Sequence, residues 1–345
     1  MEKNILVTGG AGFIGSNFIS YFLNEYDDCK IINLDKLTYA GSLENLEDVS
    51  GRANHEFIKG DICDRKLIEE LFQRFEPSAV IHFAAESHVD NSIEDPECFI
   101  RTNINGTFNL LDVAKVHWMT APFEFKKGCE NNRFLHISTD EVYGSLGQTG
   151  YFTEETPFAP NSPYSASKAS SDLIVRSFYK TYGMNVVTTN CSNNYGPGQH
   201  FEKLIPTIIR KALAREEIPI YGDGKNIRDW LYVTDHCKGI DTAFQIGVAG
   251  ETYNIGGNCE KSNIYIATLI CNILDGLYPM ESGKSYRNLI AFVKDRPGHD
   301  RRYAIDSSKI ERELGWRAEQ KFENALIKTV KWYVDKFREQ TIPAE

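Results

Sequence analysis

A chain of 345 residues, 41% hydrophobic and 12% aromatic, has apolar material for a large core or for two lobes sharing a cleft, which excludes a disordered or fibrous protein. Its formal charge of −10 repels polyanions and excludes nucleic acid as a main partner, while a few local donors still suffice for a small phosphorylated ligand. No apolar run approaches the ~20 residues that cross a bilayer, so a membrane role is excluded as well.

An apolar strand comes first, at residues 4–8, with no leader ahead of it, and a cytoplasmic protein is expected. A helical pattern follows at 14–24. Short apolar strands recur at 30–34, 56–59, 79–83, 133–138 and 186–190, with helical patterns at 65–75 and 98–116 between them. Such alternation predicts an α/β fold, a Rossmann-type doubly wound parallel sheet covered on both faces. After Cys191 the pattern loosens. Residues 193–197 and 219–224 are turn-rich, 201–214 and 262–274 read as helices, and the stretch near 230–254 is expected to return to the first sheet. The expected organisation is therefore a dinucleotide-binding domain of residues 1–191 plus about 229–255, and a smaller, discontinuous α/β substrate-binding lobe of about 192–228 plus 256–335. The cysteines (Cys29, Cys63, Cys98, Cys129, Cys191, Cys237, Cys259, Cys271) are scattered singly, without a C-x-x-C pair, so reduced packing residues and no metal site are expected.

Between the first strand and helix runs Thr8-Gly9-Gly10-Ala11-Gly12-Phe13-Ile14-Gly15. Glycine at 9 permits the tight turn, at 12 lets backbone approach a pyrophosphate, and at 15 lets helix and strand pack closely. The phosphates belong at the helix N-terminus, where unpaired N–H groups and the dipole favour anions. Asp35 ends the next strand, where a carboxylate accepts from ribose hydroxyls and repels a 2′-phosphate, so NAD is expected rather than NADP. Asp61-Ile62 after the third strand is a candidate for holding the adenine. Phe83-Ala84-Ala85 after the fourth puts small residues where backbone passes the cofactor.

Chemistry is expected from Tyr164 and Lys168, four apart on one helix face, and from Thr139-Asp140-Glu141 at the end of a buried strand. A Lys ammonium ~4 Å from a phenol, at an effective dielectric of ~20, contributes about 4 kcal/mol, enough to lower a pKa of ~10 by roughly three units. Adjacent carboxylates repel, so one should titrate high and act as acid while the other acts as base. Downstream, Asn193, Asn194, Lys203, Arg228, Asn263, Arg296 and His299 lie in loop-like sequence, and loop guanidinium groups suit bidentate phosphate binding.

With Phe83-Ala84-Ala85-Glu86-Ser87-His88-Val89-Asp90, Ser138-Thr139-Asp140-Glu141-Val142-Tyr143-Gly144, Tyr164-Ser165-Ala166-Ser167-Lys168-Ala169, Cys191-Ser192-Asn193-Asn194-Tyr195-Gly196-Pro197 and Asp295-Arg296-Pro297-Gly298-His299 added to the glycine run, the chain resembles the dTDP-glucose 4,6-dehydratases of the extended short-chain dehydrogenase/reductase type. The resemblance implies a hydro-lyase with NAD as cofactor and a nucleotide sugar, dTDP-glucose or UDP-glucose, as substrate. It implies that Tyr164 takes the O4 proton, Thr139 steers that hydroxyl, Glu141 removes the C5 proton and Asp140 protonates the leaving C6 hydroxyl. By matching position, Thr102, Tyr164, Lys168 and Asn194 would touch the cofactor, and Ser87, Asn193, Lys203, Arg228, Asn263, Arg296 and His299 the sugar nucleotide. A homodimer built on the segments around 98–116 and 164–182 is also implied. The Asp-Glu pair argues against a 4-epimerase, and the intact Tyr/Lys and acid/base sets against a non-catalytic sensor. The stretch Gly196-Pro197-Gly198-Gln199-His200-Phe201, Cys259 and the long loops at 117–132 and 276–288 depart from the family pattern, which leaves thymine against uracil open.

Overall fold

The computed structural model describes residues 3–341; Met1 and Glu2, where the leaderless reading begins, lie outside the described residues. The chain runs β1 (Lys3–Thr8), α1 (Phe13–Glu25), β2 (Cys29–Asp35), β3 (His55–Lys59), α2 (Arg65–Phe75) and β4 (Ala79–His82). Next come α3 (Val89–Glu94), α4 (Pro96–Phe99), a π-helical stretch Ile100–Gly106, α5 (Thr107–Trp118), the hairpin β5 (Met119–Ala121) and β6 (Glu124–Phe125), and β7 (Arg133–Thr139). Then follow α6 (Pro163–Tyr182), β8 (Val186–Cys191), β9 (Asn193–Tyr195), α7 (Leu204–Leu213), β10 (Ile218–Tyr221) and β11 (Ile227–Tyr232). The chain closes with α8 (Val233–Ile246), β12 (Thr252–Ile255), β13 (Glu260–Ser262), α9 (Asn263–Leu277), β14 (Ile290–Val293), α10 (Ser308–Leu314) and α11 (Phe322–Thr341).

Seven strands form one parallel sheet in the order β12-β8-β7-β4-β1-β2-β3. Burial on both faces explains the continuous apolar runs: all six residues of β8 are buried. Ile5 and Val7 pack with Phe18 and Phe22 of α1 on one face, while Leu6, Ile32 and Leu34 pack with Ile68, Leu71, Leu110 and Val175 on the other. Strand order reverses between β1 and β4, and the crevice at such a reversal is where ligands bind in open α/β sheets.

A separate core forms around Ile205, Ile208, Ile266, Ile270, Leu326 and Val330. Of the 229–255 stretch, α8 packs through Val233, Cys237 and Ile240 into the large-sheet core and β12 joins that sheet, but β11 pairs with β9 and β13 instead. The chain end crosses between the cores. Ile310 and Trp316 are buried in the large-sheet core, the indole Nε1 donates to Asp235 O at 3.1 Å, and α11 then enters the other core.

The sequence reading needs several corrections. Residues 98–116 are not one regular helix: Asn103 turns inward in the π-helical stretch, accepting from Glu86 N at 2.9 Å and donating to Ser167 Oγ at 2.8 Å. Residues 193–197 contain β9, and 219–224 overlap β10. In β10, buried Ile218 and Ile220 alternate with Pro219 and Tyr221, a period-two pattern too short to stand out from its turn residues. The 117–132 segment holds the β5–β6 hairpin. Helix α11 escaped the reading, although Phe322, Ala325, Leu326, Thr329, Val330, Tyr333 and Val334, all buried, repeat at helical spacing.

Candidate active site

The glycine turn builds one wall of a cleft. Gly9 sits at φ 74°, and a Cβ there would stand 2.5 Å from Ala84 N; at Gly15 it would stand 2.3 Å from Gly9 O. Those two glycines serve packing. At Gly12 the nearest neighbour would be Gly9 O at 3.3 Å, so the remaining space opens to the cleft. No side chain caps α1, which leaves its first-turn N–H groups for a ligand. Phe13, Ile14, Ala84, Ala85 and Ser87 line the same cleft. Asp35 lines it too, with Oδ2 accepting from Ala11 N at 2.9 Å and Oδ1 from Leu37 N at 2.8 Å, so this carboxylate also shapes the turn. Asp61, Ile62 and Thr102 are not among the lining residues. Asp61 pairs with Lys36 at 2.9 Å, and the Ile62 side chain is packed in the core against Gly106.

The opposite wall is made of side chains. Thr139 ends β7 and caps a 3-10 turn, accepting from Glu141 N at 3.3 Å, which aims Asp140 and Glu141 into the cleft. Burial, then Glu141 and Asp229, push the Asp140 carboxyl well above its ordinary value, and its Oδ2 has no partner. Burial also raises Glu141, against the pull of Arg228, Arg296 and Lys203. Both carboxyls are therefore raised, and burial, more than mutual repulsion, is the main cause.

Helix α6 opens with a capping box between Ser162 and Ser165 and with Pro163 in its first turn, placing Tyr164 at the cleft with Phe99 edge-on at 6.3 Å. The phenol is raised rather than lowered: burial and then Glu141 outweigh the Thr139 hydroxyl. Lys168, one turn on, donates to Ile137 O at 2.7 Å instead of to the phenol, and burial lowers its ammonium. The expected three-unit drop in the tyrosine is therefore absent from the geometry of the chain by itself.

Asn193, Asn194 and Lys203 line the cleft, with Lys203 Nζ donating to Ser87 O at 3.2 Å and Asn194 Oδ1 2.9 Å from His236 Nδ1. Arg228, Asn263, Arg296 and His299 are set back from the lining. The Arg228 guanidinium lies 4.2 Å over the Tyr303 ring, Arg296 pairs with Asp90 at 3.3 Å, His299 with Asp295 at 2.6 Å, and Asn263 N donates to Asn226 O at 3.1 Å. Thr38, Gly41, Cys191 and Gln199 line the cleft as well, without being expected there; the first two belong to the loop that leaves Asp35, which was the available signal. Among the described residues no group of three His, Cys, Asp or Glu side chains could hold a metal ion, and no helix is long and apolar enough to cross a membrane.

The family model for GDP-mannose 4,6 dehydratase matches residues 6–329. The chain is 56% identical over 329 residues to a dTDP-glucose 4,6-dehydratase of Xanthomonas campestris pv. campestris (strain B100), covering 95% of this chain and 92% of that one. It is 52% identical to the enzyme of that name from Neisseria gonorrhoeae, covering 97% and 96%. The structure is similar to dTDP-glucose 4,6-dehydratase from Bacillus anthracis str. Ames in complex with NAD (TM-score 0.85, 46% identity, 97% and 98% covered). It is also similar to DesIV, the dTDP-glucose 4,6-dehydratase from Streptomyces venezuelae with NAD and TYD bound (TM-score 0.87, 44% identity, 97% and 98% covered).

Proposed function

The chain belongs to the GDP-mannose 4,6 dehydratase family, and from that premise we propose that it converts dTDP-glucose to dTDP-4-keto-6-deoxyglucose by NAD-dependent removal of water. One observation carries the reading: Tyr164, Thr139, Asp140 and Glu141 share a cleft with the glycine turn. A 4-epimerase would use the turn and the phenol but has no task for an acid and a base at C6 and C5.

The residues present fit a dinucleotide. The open face of Gly12 and the uncapped first turn of α1 would hold its pyrophosphate, and Asp35 the ribose hydroxyls, with Ala84, Ala85 and Asn194 completing the site. Bound there, NAD supplies the acceptor for the C4 hydride and its return to C6. Tyr164 takes the O4 proton while Thr139 orients that hydroxyl. With burial holding the phenol up, ionisation needs positive charge close by, and Lys168 is the chain's own source. The 4-keto group acidifies C5–H. Glu141 removes that proton, and Asp140, kept protonated, delivers its own to the C6 oxygen as the C6–O bond breaks and water leaves. Glu141 then returns its proton to C5. Ser87, Asn193 and Lys203 on the cleft lining would hold the sugar nucleotide, and Arg228, Asn263, Arg296 and His299, set back from it, would have to turn in to join them, with the guanidinium groups suited to its phosphates.

Residues 1–191 with about 229–255 would hold the cofactor, and about 192–228 with 256–335 the sugar nucleotide. Exposed Ile100, Phe108, Val116 and Leu173 lie on the 98–116 and 164–182 segments, which supports a homodimer through those helices; sedimentation of the full chain as a monomer would remove it. The deciding experiment is turnover by mass spectrometry. Incubation with dTDP-glucose should yield a product lighter by one water, with slower turnover of UDP-glucose. A product of unchanged mass with C4 inverted would select the epimerase and overturn the reading.

A further inference from the structure

Helix α6 carries a third buried ionisable group behind the pair already described. Tyr164, Lys168 and Asp172 recur every fourth residue on one face, and all three are buried. Successive residues of β7 grip the last two. His136 Nε2 lies 3.0 Å from Asp172 Oδ1, Ile137 O accepts from Lys168 Nζ at 2.7 Å, and Ser138 Oγ donates to Asp172 Oδ2 at 2.8 Å. Pleating turns His136 and Ser138 towards α6 while Ile137 offers its carbonyl between them. Ser171 tightens the join, donating to Lys168 O at 2.7 Å with its oxygen 3.3 Å from His136 Nε2.

A carboxyl sealed under a sheet is costly unless something nearby compensates its charge. Its other ionisable neighbours are held neutral. His82 of β4 and His136 of β7 are both pushed well below the ordinary imidazole range by burial; their rings are 5.4 Å apart, and His82 is hydrogen-bonded to Thr8 and Thr107. Cys191 of β8 and Tyr143 of the 3-10 turn are pushed up by burial and carry no charge, and burial pushes the Tyr164 phenol up as well. Lys168 is left as the cation one helical turn from the carboxyl. Burial raises Asp172 to about 7 against the pull of Lys168 and Ser138, and Asp172 in turn opposes the burial that lowers Lys168.

We infer that Asp172 is a positioning residue: anchored by His136 and Ser138, its carboxylate is the counter-charge that keeps the Lys168 ammonium protonated and in place behind Tyr164. The inference rests on the proposed roles of Tyr164 and Lys168 but not on the identity of the substrate.

The test measures the titration of Lys168 directly, by competitive acetylation across pH with peptide mass analysis, in the full chain, in Asp172→Asn and in Asp172→Glu. The asparagine fills the same space and can still bond to His136 and Ser138. In it the pKa of Lys168 should fall by about one unit or more, and the glutamate should recover most of that shift. In the same proteins the alkaline limb of kcat/KM should move to lower pH by a matching amount, with KM nearly unchanged. An unmoved Lys168 titration in a folded Asp172→Asn protein overturns the inference, even if activity is lost evenly at all pH values. Should that variant not fold, Ser138→Ala decides instead: it weakens the carboxylate's anchoring, so the titration should shift the same way by less, and no shift overturns the inference. Failure of the unmutated chain to dehydrate dTDP-glucose would count against the proposed function, while the acetylation result would still stand by itself.

Discussion

The two walls of the cleft are built from different material. On the β1–α1 side the working groups are mostly backbone, a glycine turn and free N–H groups, with one side-chain carboxylate that braces the loop. On the β7–α6 side they are titratable side chains removed from water, with Asp140, Glu141 and Tyr164 all raised and Lys168 lowered. The first wall is suited to recognition by shape, since a methyl group at Gly9 or Gly15 would meet backbone. The second is suited to proton transfer, since burial shifts every one of its titratable groups.

Substitutions should separate the two. Tyr164→Phe should lower kcat by about 10⁴-fold, the upper range for a positioned proton acceptor, while leaving NAD affinity by calorimetry unchanged; weakened cofactor binding would merge the walls. Glu141→Gln should slow elimination by about 10²-fold and leave C4 oxidation measurable as reduced-nicotinamide absorbance. Full activity in that variant would remove Glu141 as the C5 base. Gly12→Ala acts on the other wall. Because only Gly9 O lies close to the added carbon, at 3.3 Å, the melting temperature should hold. NAD affinity should drop roughly tenfold to a hundredfold, the equivalent of about 1–3 kcal/mol of overpacking. The smallest effect concerns pH. A base is active only when unprotonated, and burial raises Glu141, so the acid limb of kcat should lie above the ordinary glutamate value of ~4.3 and be lost as pH falls through it. A limb at or below that value would mean that Arg228, Arg296 and Lys203 outweigh burial.

Legibility followed the same division. The glycine turn and Asp35 could be read because their geometry is local: eleven contiguous residues specify strand, turn and helix start. The Thr139–Glu141 and Tyr164–Lys168 runs were visible as motifs, and the alternation of buried strands with helices identified the sheet. What side chains do across long sequence separations was not visible. The Lys168 ammonium finds a carbonyl 31 positions earlier, Asp140 rises chiefly because it is enclosed, and Ile62 serves the core. Strands β9 and β10 were hidden because each spans only three or four residues, with partners far along the chain.

The path of residues 310–341 has a mechanical consequence. Trp316 is clasped by Asp235 at the large sheet, Asp235 Oδ2 also accepts from Glu319 N at 3.0 Å and Gln320 N at 2.8 Å, and α11 then lies in the other core. A swing of one lobe about the other would have to tear out that rivet.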